Sequence, residues 1–258
     1  MDKQFFFLAG LPRTGSTLLA NILLQNSDVH AEGSSVLCNL TWSVSQECEC
    51  NSTADTLIAS RRFPDTVEEV MSSLPSTYYR AEHKKYIFDK NRKWCSLENM
   101  RVVRRYLNPD PKVVVLVREV DEVVKSFMRI DNENDAGRDP YDTYLSRENN
   151  PMIIESVLSV RDALRDEKKE SYLFIPYDKL VNNPDEQVKR IYEFCGIPAF
   201  AHQFDDVADN NLEEDRVHGL RGLHSIRSVV SKRQVAIALD ERSQKKCDEL
   251  SDLIREAL

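Results

Sequence analysis

The chain has 258 residues, of which 41% are hydrophobic and 30% charged, and its net charge is −8. That composition suits an ordinary globular protein long enough to bury a sizeable core. The acidity argues against a general nucleic-acid binder, which shows a basic stripe, and no apolar run approaches the ~20 residues of a membrane span.

The first predicted element is a buried parallel strand, Phe5–Ala9, from the apolar run FFFLA. A leader peptide would have to be this strand itself, so the expected location is the cytoplasm. Gly10 and Pro12 break the run, and Arg13-Thr14-Gly15-Ser16-Thr17 leads into a helical stretch, Leu18–Leu24. A short second strand is expected at 28–33, followed by a polar, mixed segment, 34–85, with a helix over Thr66–Ser73. Tyr86–Lys90 reads as a strand ending in charge. Ser96–Leu107 reads as a helix stopped by Asn108-Pro109-Asp110-Pro111.

Lys112–Val117 is the clearest central strand, β-branched and uninterrupted. A helix is expected over Glu122–Met128, a mobile loop or lid over 129–150, and a helix over Met152–Asp166. Tyr172–Tyr177 gives another strand, and Pro184–Cys195 a helix ending at Gly196. A charged loop, 201–234, and a final helix, Val235–Leu258, complete the order. Strands alternate with helices and no linker intervenes, which predicts one α/β domain with a central parallel sheet flanked by helices. The six cysteines show no zinc spacing and are expected to be free thiols; no metal is expected.

Ligands of such sheets bind beyond the carboxyl ends of the strands. Four such ends carry useful side chains: Arg13–Thr17, Glu32, Lys90 and Arg118. Gly10 and Gly15 have the separation of the two glycines in G-x-x-x-x-G-K-[ST], but Ser16 stands where the lysine belongs, followed by Thr17. A strand, tight loop and helix start direct backbone N–H groups and a helix dipole at an anion. The loop therefore suits a phosphate-like group and lacks the lysine of ATP- or GTP-dependent kinases and hydrolases. Arg118 and Ser126 are eight residues apart, about 10 Å along a helix axis: either the pair embraces a second anionic group, or Arg118 caps or salt-bridges and Ser126 is an ordinary helix residue, which is the reading that spacing alone favours.

PRTGSTLL after a strand, VREVDEVVKSF after another, and IPYDKLVNNPDEQVKRIYEFCGIP later on together resemble the sulfotransferases that use 3′-phosphoadenosine 5′-phosphosulfate (PAPS). The chain is most similar to their tyrosylprotein and carbohydrate branch. The resemblance implies a P-loop sulfotransferase fold and transfer of a sulfuryl group to a hydroxyl, with release of PAP. It implies that Arg13, Thr14, Gly15, Ser16 and Thr17 hold the 5′-phosphosulfate and that Arg118 and Ser126 hold the 3′-phosphate. Tyr177 would lie near the adenosine, and Lys90 at the transferring group. It also implies a base after the second strand, for which Glu32 leads His30, with His83 third. The loop from Gly219 to Arg227 is read as a flap over the 3′-phosphate through Ser225 and Arg227. The acceptor stays open among small-molecule, carbohydrate and peptide hydroxyls. The competing readings are a P-loop nucleoside or small-molecule kinase and a non-catalytic nucleotide-binding module.

Overall fold

The structure is a computed structural model and describes residues 3–49, 52–210, 221–232 and 235–258. Gly219 and Leu220 of the glycine–arginine loop, and Cys50, lie outside the described residues. Five parallel strands form one sheet in the order β2-β3-β1-β4-β5, with β1 at Gln4–Gly10, β2 at Val29–Ala31, β3 at Tyr86–Lys90, β4 at Val113–Val117 and β5 at Tyr172–Pro176.

The strand alternation builds two cores. Val113, Val115 and Val117 face one layer with Phe7, Ile87 and Trp94, while Val114 and Leu116 face the other with Leu8 and Phe88. Successive side chains of a strand point to opposite faces, so a strand apolar at every position must be covered on both. Helices α1 (Ser16–Leu23), α8 (Tyr177–Asn182) and α9 (Pro184–Cys195) cover the second layer through Leu19, Ile22, Leu180, Val188 and Ile191. Helices α5 (Leu97–Val102), α6 (Val120–Glu133), α7 (Met152–Arg165) and α10 (Glu241–Asp252) cover the first through Met100, Val123, Val157 and Cys247.

Segment 34–85 is more helical than its composition suggests. It forms α2 (Leu37–Glu49), α3 (Ser52–Ala59) and α4 (Asp65–Tyr78). Their apolar residues meet in a satellite cluster around Val67 and Met71, with Trp42, Leu57 and Phe63 packed against it. Helix α6 runs past Met128 to Glu133 because Ile130 and Asp131 are buried in its last turns. The loop expected to follow is partly packed, as a π turn at Tyr141–Leu145 buries Tyr144 and Leu145. The last helix starts later than Val235: Asp240 caps it, its side chain accepting from Ser243 N–H, and α10 begins at Glu241. Among the described residues no helix is long and apolar enough to cross a membrane, and Cys38, Cys48, Cys95, Cys195 and Cys247 are free thiols.

Candidate active site

The site starts from the way β1 leaves the sheet. Gly10 has φ +116°, and a Cβ there would sit 1.9 Å from the Leu116 carbonyl oxygen, so the backbone of β4 occupies the space a side chain needs. Leu11 N–H donates to that same carbonyl at 3.0 Å and holds the exit against β4. Within the turn, buried Thr14 donates its hydroxyl to Leu11 O at 2.8 Å, which commits this side chain to the turn's own shape.

Gly15 ends the turn at φ +79°, and a Cβ there would touch the Tyr177 ring at 3.4 Å. The first α1 hydrogen bond runs from Leu19 N–H to Gly15 O. The N–H groups of residues 16–18 therefore face out of the helix start, with no side-chain cap and no acidic residue in the first turn. A negatively charged group is the natural partner of that end.

The second half of the site is tied to the first. Arg118, at the tip of β4 and 6% exposed, donates from Nη1 to Arg13 O at 3.0 Å and from Nε to Glu122 at 3.0 Å. Its guanidinium lies 4.1 Å from the Tyr177 ring centroid. Arg13, held at φ +60°, donates from Nε to Ser126 Oγ at 3.3 Å and from Nη1 to Leu223 O. Burial alone would raise the Glu122 carboxyl, but the bonds from Arg118 and Lys232 hold it below the usual range.

These groups share one cavity of about 400 Å³. Arg13, Gly15, Ser16, Thr17, Lys90, Arg118, Ser126, Tyr177, Ser225 and Arg227 all line it, so the sequence-predicted donor residues meet in one place, with Thr14 buried just behind. Every formally charged side chain in the described wall is an arginine or lysine, in a chain whose net charge is −8. The sequence reading missed Arg92, Arg129 and Arg138, together with Phe127 and Tyr144. Arg129 lies one helical turn beyond Ser126, a spacing that announces a shared face. Arg138 and Tyr144 carry no such signal, since their position depends on the packing of the segment after α6.

The candidate bases Glu32, His30 and His83 are not among the residues that line this cavity. Glu32 keeps 35% of its side chain exposed and accepts from the Tyr79 hydroxyl at 2.5 Å, while Ser34, two residues on, lines the cavity. His30 Nδ1 is 2.8 Å from Glu82, and its buried Nε2 has no hydrogen-bond partner and lies 3.9 Å from Glu32. Burial works to lower the His30 pKa, but the Glu32 and Glu82 carboxylates outweigh it and raise the value. His83 is exposed, its backbone N–H bonded to Glu82. Among the described residues no cluster of His, Cys, Asp and Glu is suited to a metal ion.

The fold is similar to that of solved sulfotransferases. The sulfotransferase domain of the Synechococcus PCC 7002 olefin synthase aligns over 100% of this chain and 96% of its own, with TM-score 0.62 and 16% identity. A sulfotransferase from Alicyclobacillus acidocaldarius aligns over 99% and 96%, with TM-score 0.54 and 12% identity. Mouse sulfotransferase SULT7A1, solved in complex with PAP, aligns over 99% and 86%, with TM-score 0.51 and 16% identity. No curated protein sequence matches the chain. A sequence model of the Sulfotransferase family matches residues 6–202, most of the chain and all of the sheet but the first two residues of β1, and the chain therefore belongs to the sulfotransferase family.

Proposed function

We propose that the chain transfers a sulfuryl group from PAPS to the hydroxyl of an acceptor and releases PAP. The acceptor is a small-molecule, carbohydrate or peptide hydroxyl. The observation that carries the reading is the direct link between the two candidate anion-binding elements: Arg118 bonds to the Arg13 carbonyl, and Arg13 bonds to Ser126, at the mouth of the α1 N-terminus. A single ligand with two anionic ends fits that pair, and PAPS is such a ligand. The donor set suits it too, being made of N–H groups, hydroxyls and guanidinium groups with no carboxylate in the first turn of α1.

When bound, PAPS supplies the sulfuryl group and a phosphate leaving oxygen. The N–H groups of residues 16–18 and the hydroxyls of Ser16 and Thr17 hold the phosphosulfate, with Arg13 beside them. These donors are fixed before the reaction, and such preorganisation would be most effective on oxygens where charge grows during transfer. Arg118 and Ser126 hold the 3′-phosphate, with Ser225 and Arg227 lining the same cavity. Tyr177 flanks both Gly15 and the Arg118 guanidinium, which suits an adenosine neighbour. Lys90, at the tip of β3, stands for the transferring group.

The acceptor hydroxyl gives its proton to a base as its oxygen attacks sulfur. Glu32 suits this role better than His30, because its carboxylate is partly exposed whereas the unbonded nitrogen of His30 is buried.

The test is thermal stabilisation by PAP, ATP and GTP with and without magnesium, followed by labelled-sulfate transfer from PAPS to a panel of hydroxyl acceptors. Stabilisation by PAP without metal, and loss of transfer in Glu32→Gln with PAP affinity retained, are the expected results. Stabilisation by ATP only with magnesium would replace this reading with a kinase. PAP binding with no transfer to any acceptor class would leave a nucleotide-binding module.

A further inference from the structure

Tyr79 follows α4 with its ring buried and its hydroxyl between two carboxylates. Its Oη lies 2.5 Å from Glu32 Oε1 and 2.7 Å from Asp89 Oδ2. A phenol has one proton to give, and ionised carboxylates only accept. Both separations are those of strong O–H···O bonds to a carboxyl group, too short for one hydrogen to be divided between two anions. A second proton therefore resides in this triad, on Asp89 or on Glu32.

The surroundings distinguish the two. Asp89 is fully buried on β3, and its Oδ1 accepts from Trp94 Nε1 at 2.5 Å. No lysine or arginine among the described residues pairs with it. The groups facing it are the Ser35 hydroxyl, Tyr79, Trp94, Glu32 and the Cys38 thiol of α2. Lys93, whose charge acts on the Cys38 thiol, is 2.7 Å from Glu155. Burial pushes the Asp89 carboxyl up, and the bonds from Ser35, Tyr79 and Trp94 do not cancel it. Glu32, in contrast, is partly exposed and has the His30 ring beside it.

We propose that Asp89 is a neutral acid at physiological pH, donating to Tyr79 Oη, so that Tyr79 turns its own proton to Glu32 and orients that carboxylate as the base. The inference rests on the reading of Glu32 as the base. Tyr79 and Asp89 are positioning residues in it. In the reaction the acceptor O–H bond breaks and its proton goes to the second oxygen of Glu32. The acceptor oxygen bonds to sulfur as the bond from sulfur to the leaving phosphate oxygen breaks, and the protons of Asp89 and Tyr79 stay in place.

Infrared spectroscopy of the full chain tests where the second proton resides. The wild type is expected to show a protonated-carboxyl C=O band at neutral pH that is missing from Asp89→Asn. Its absence from the wild type, or its persistence in Asp89→Asn, overturns the proposal. A kcat-against-KM comparison tests the consequence. Tyr79→Phe removes a donor that orients Glu32, so kcat is expected to fall about tenfold while KM for PAPS stays unchanged. Asn at 89 still donates to Tyr79 and is expected to keep kcat within about twofold of the wild type; a kcat raised several-fold in Asp89→Asn means an ionised Asp89 that had drawn the Tyr79 proton away from Glu32, and overturns the proposal. An unchanged kcat in a Tyr79→Phe protein that melts like the wild type does the same. The band does not depend on turnover. Full activity in Glu32→Gln would therefore remove Glu32 as the base while the band still reports on Asp89, and loss of PAP binding in the wild type would be a separate failure of the donor reading.

Discussion

Arg118 donates to the carbonyl oxygen of Arg13 at 3.0 Å, and this bond joins the tip of β4 to the glycine turn after β1. The same guanidinium holds Glu122 and faces Tyr177, so its planar fork satisfies several directions at once.

The first prediction concerns that fork. Arg118→Ala removes charge-assisted bonds each worth about 1.5–3 kcal/mol, so PAP is expected to bind roughly 10- to 150-fold more weakly. Arg118→Lys keeps the charge but cannot reach the Arg13 carbonyl and Glu122 together, and is expected to lose an intermediate amount. Titration calorimetry with PAP checks this, and wild-type affinity in Arg118→Lys would count against a bidentate role.

The two glycines of the turn should fail differently. Gly10→Ala sets a Cβ against β4 backbone, which cannot yield as a side-chain tip can, so its cost exceeds the ~1–3 kcal/mol of ordinary overpacking and little folded protein is expected. Gly15→Ala meets only ordinary contact at 3.4 Å but must hold φ +79°, at a cost of about 1–2 kcal/mol. It is expected to fold with a modestly lower Tm and weaker PAP binding. Equal melting temperatures for the two variants would contradict this assignment.

A third prediction lies far from the cavity. Asp166 accepts from Arg104 at 2.8 Å and from Tyr172 at 2.5 Å with its side chain 6% exposed. Burial opposes its ionisation, but the bonds from Tyr172, Lys168 N–H and Arg104 prevail and lower its pKa. A depressed carboxyl stabilises the fold at pH values above the unfolded value of about 3.9 and loses that contribution as pH falls through the folded value. Asp166→Asn is expected to cost about 3 kcal/mol at neutral pH. It should also flatten part of the fall in Tm between roughly pH 5 and 2. Sulfuryl transfer per folded molecule should not change. An Asp166→Asn melting curve parallel to the wild type across that range would refute the linkage.

The sheet and the turn at the mouth of the cavity were legible because both follow from local sequence. Val113–Val117 has one structural solution, a strand covered on both faces, and the turn around Gly10 and Gly15 declares its backbone needs in residue type. Helices α2 and α3 were not legible, since their few apolar residues pack into a side cluster rather than a long stripe. The contact of Tyr79 with Glu32 spans 47 residues and exists only once α4 is laid beside β2. Asp89 was in view as the residue before Lys90, but nothing in the sequence said that it would be buried without a cation.

The last prediction concerns residues 221–227, which are pinned to α6 and to the turn. Arg221 N–H donates to Asn134 Oδ1 at 2.9 Å, Asn134 Nδ2 donates back to Arg221 O at 3.1 Å, and Arg13 Nη1 donates to Leu223 O. If Ser225 and Arg227 serve the 3′-phosphate, loosening this pin should matter only for nucleotides that carry one. The Asn134 bonds are exposed, each worth about 0.5–1.5 kcal/mol, so Asn134→Ala is expected to weaken PAP by about tenfold or less. Arg227→Ala should weaken it further, because a charged contact to phosphate is lost directly. Neither variant should alter the affinity for adenosine 5′-phosphate, which has no 3′-phosphate. Competition binding with the two nucleotides separates the effects, and an equal loss for both would mean that the segment supports the pocket as a whole rather than gripping its 3′ end.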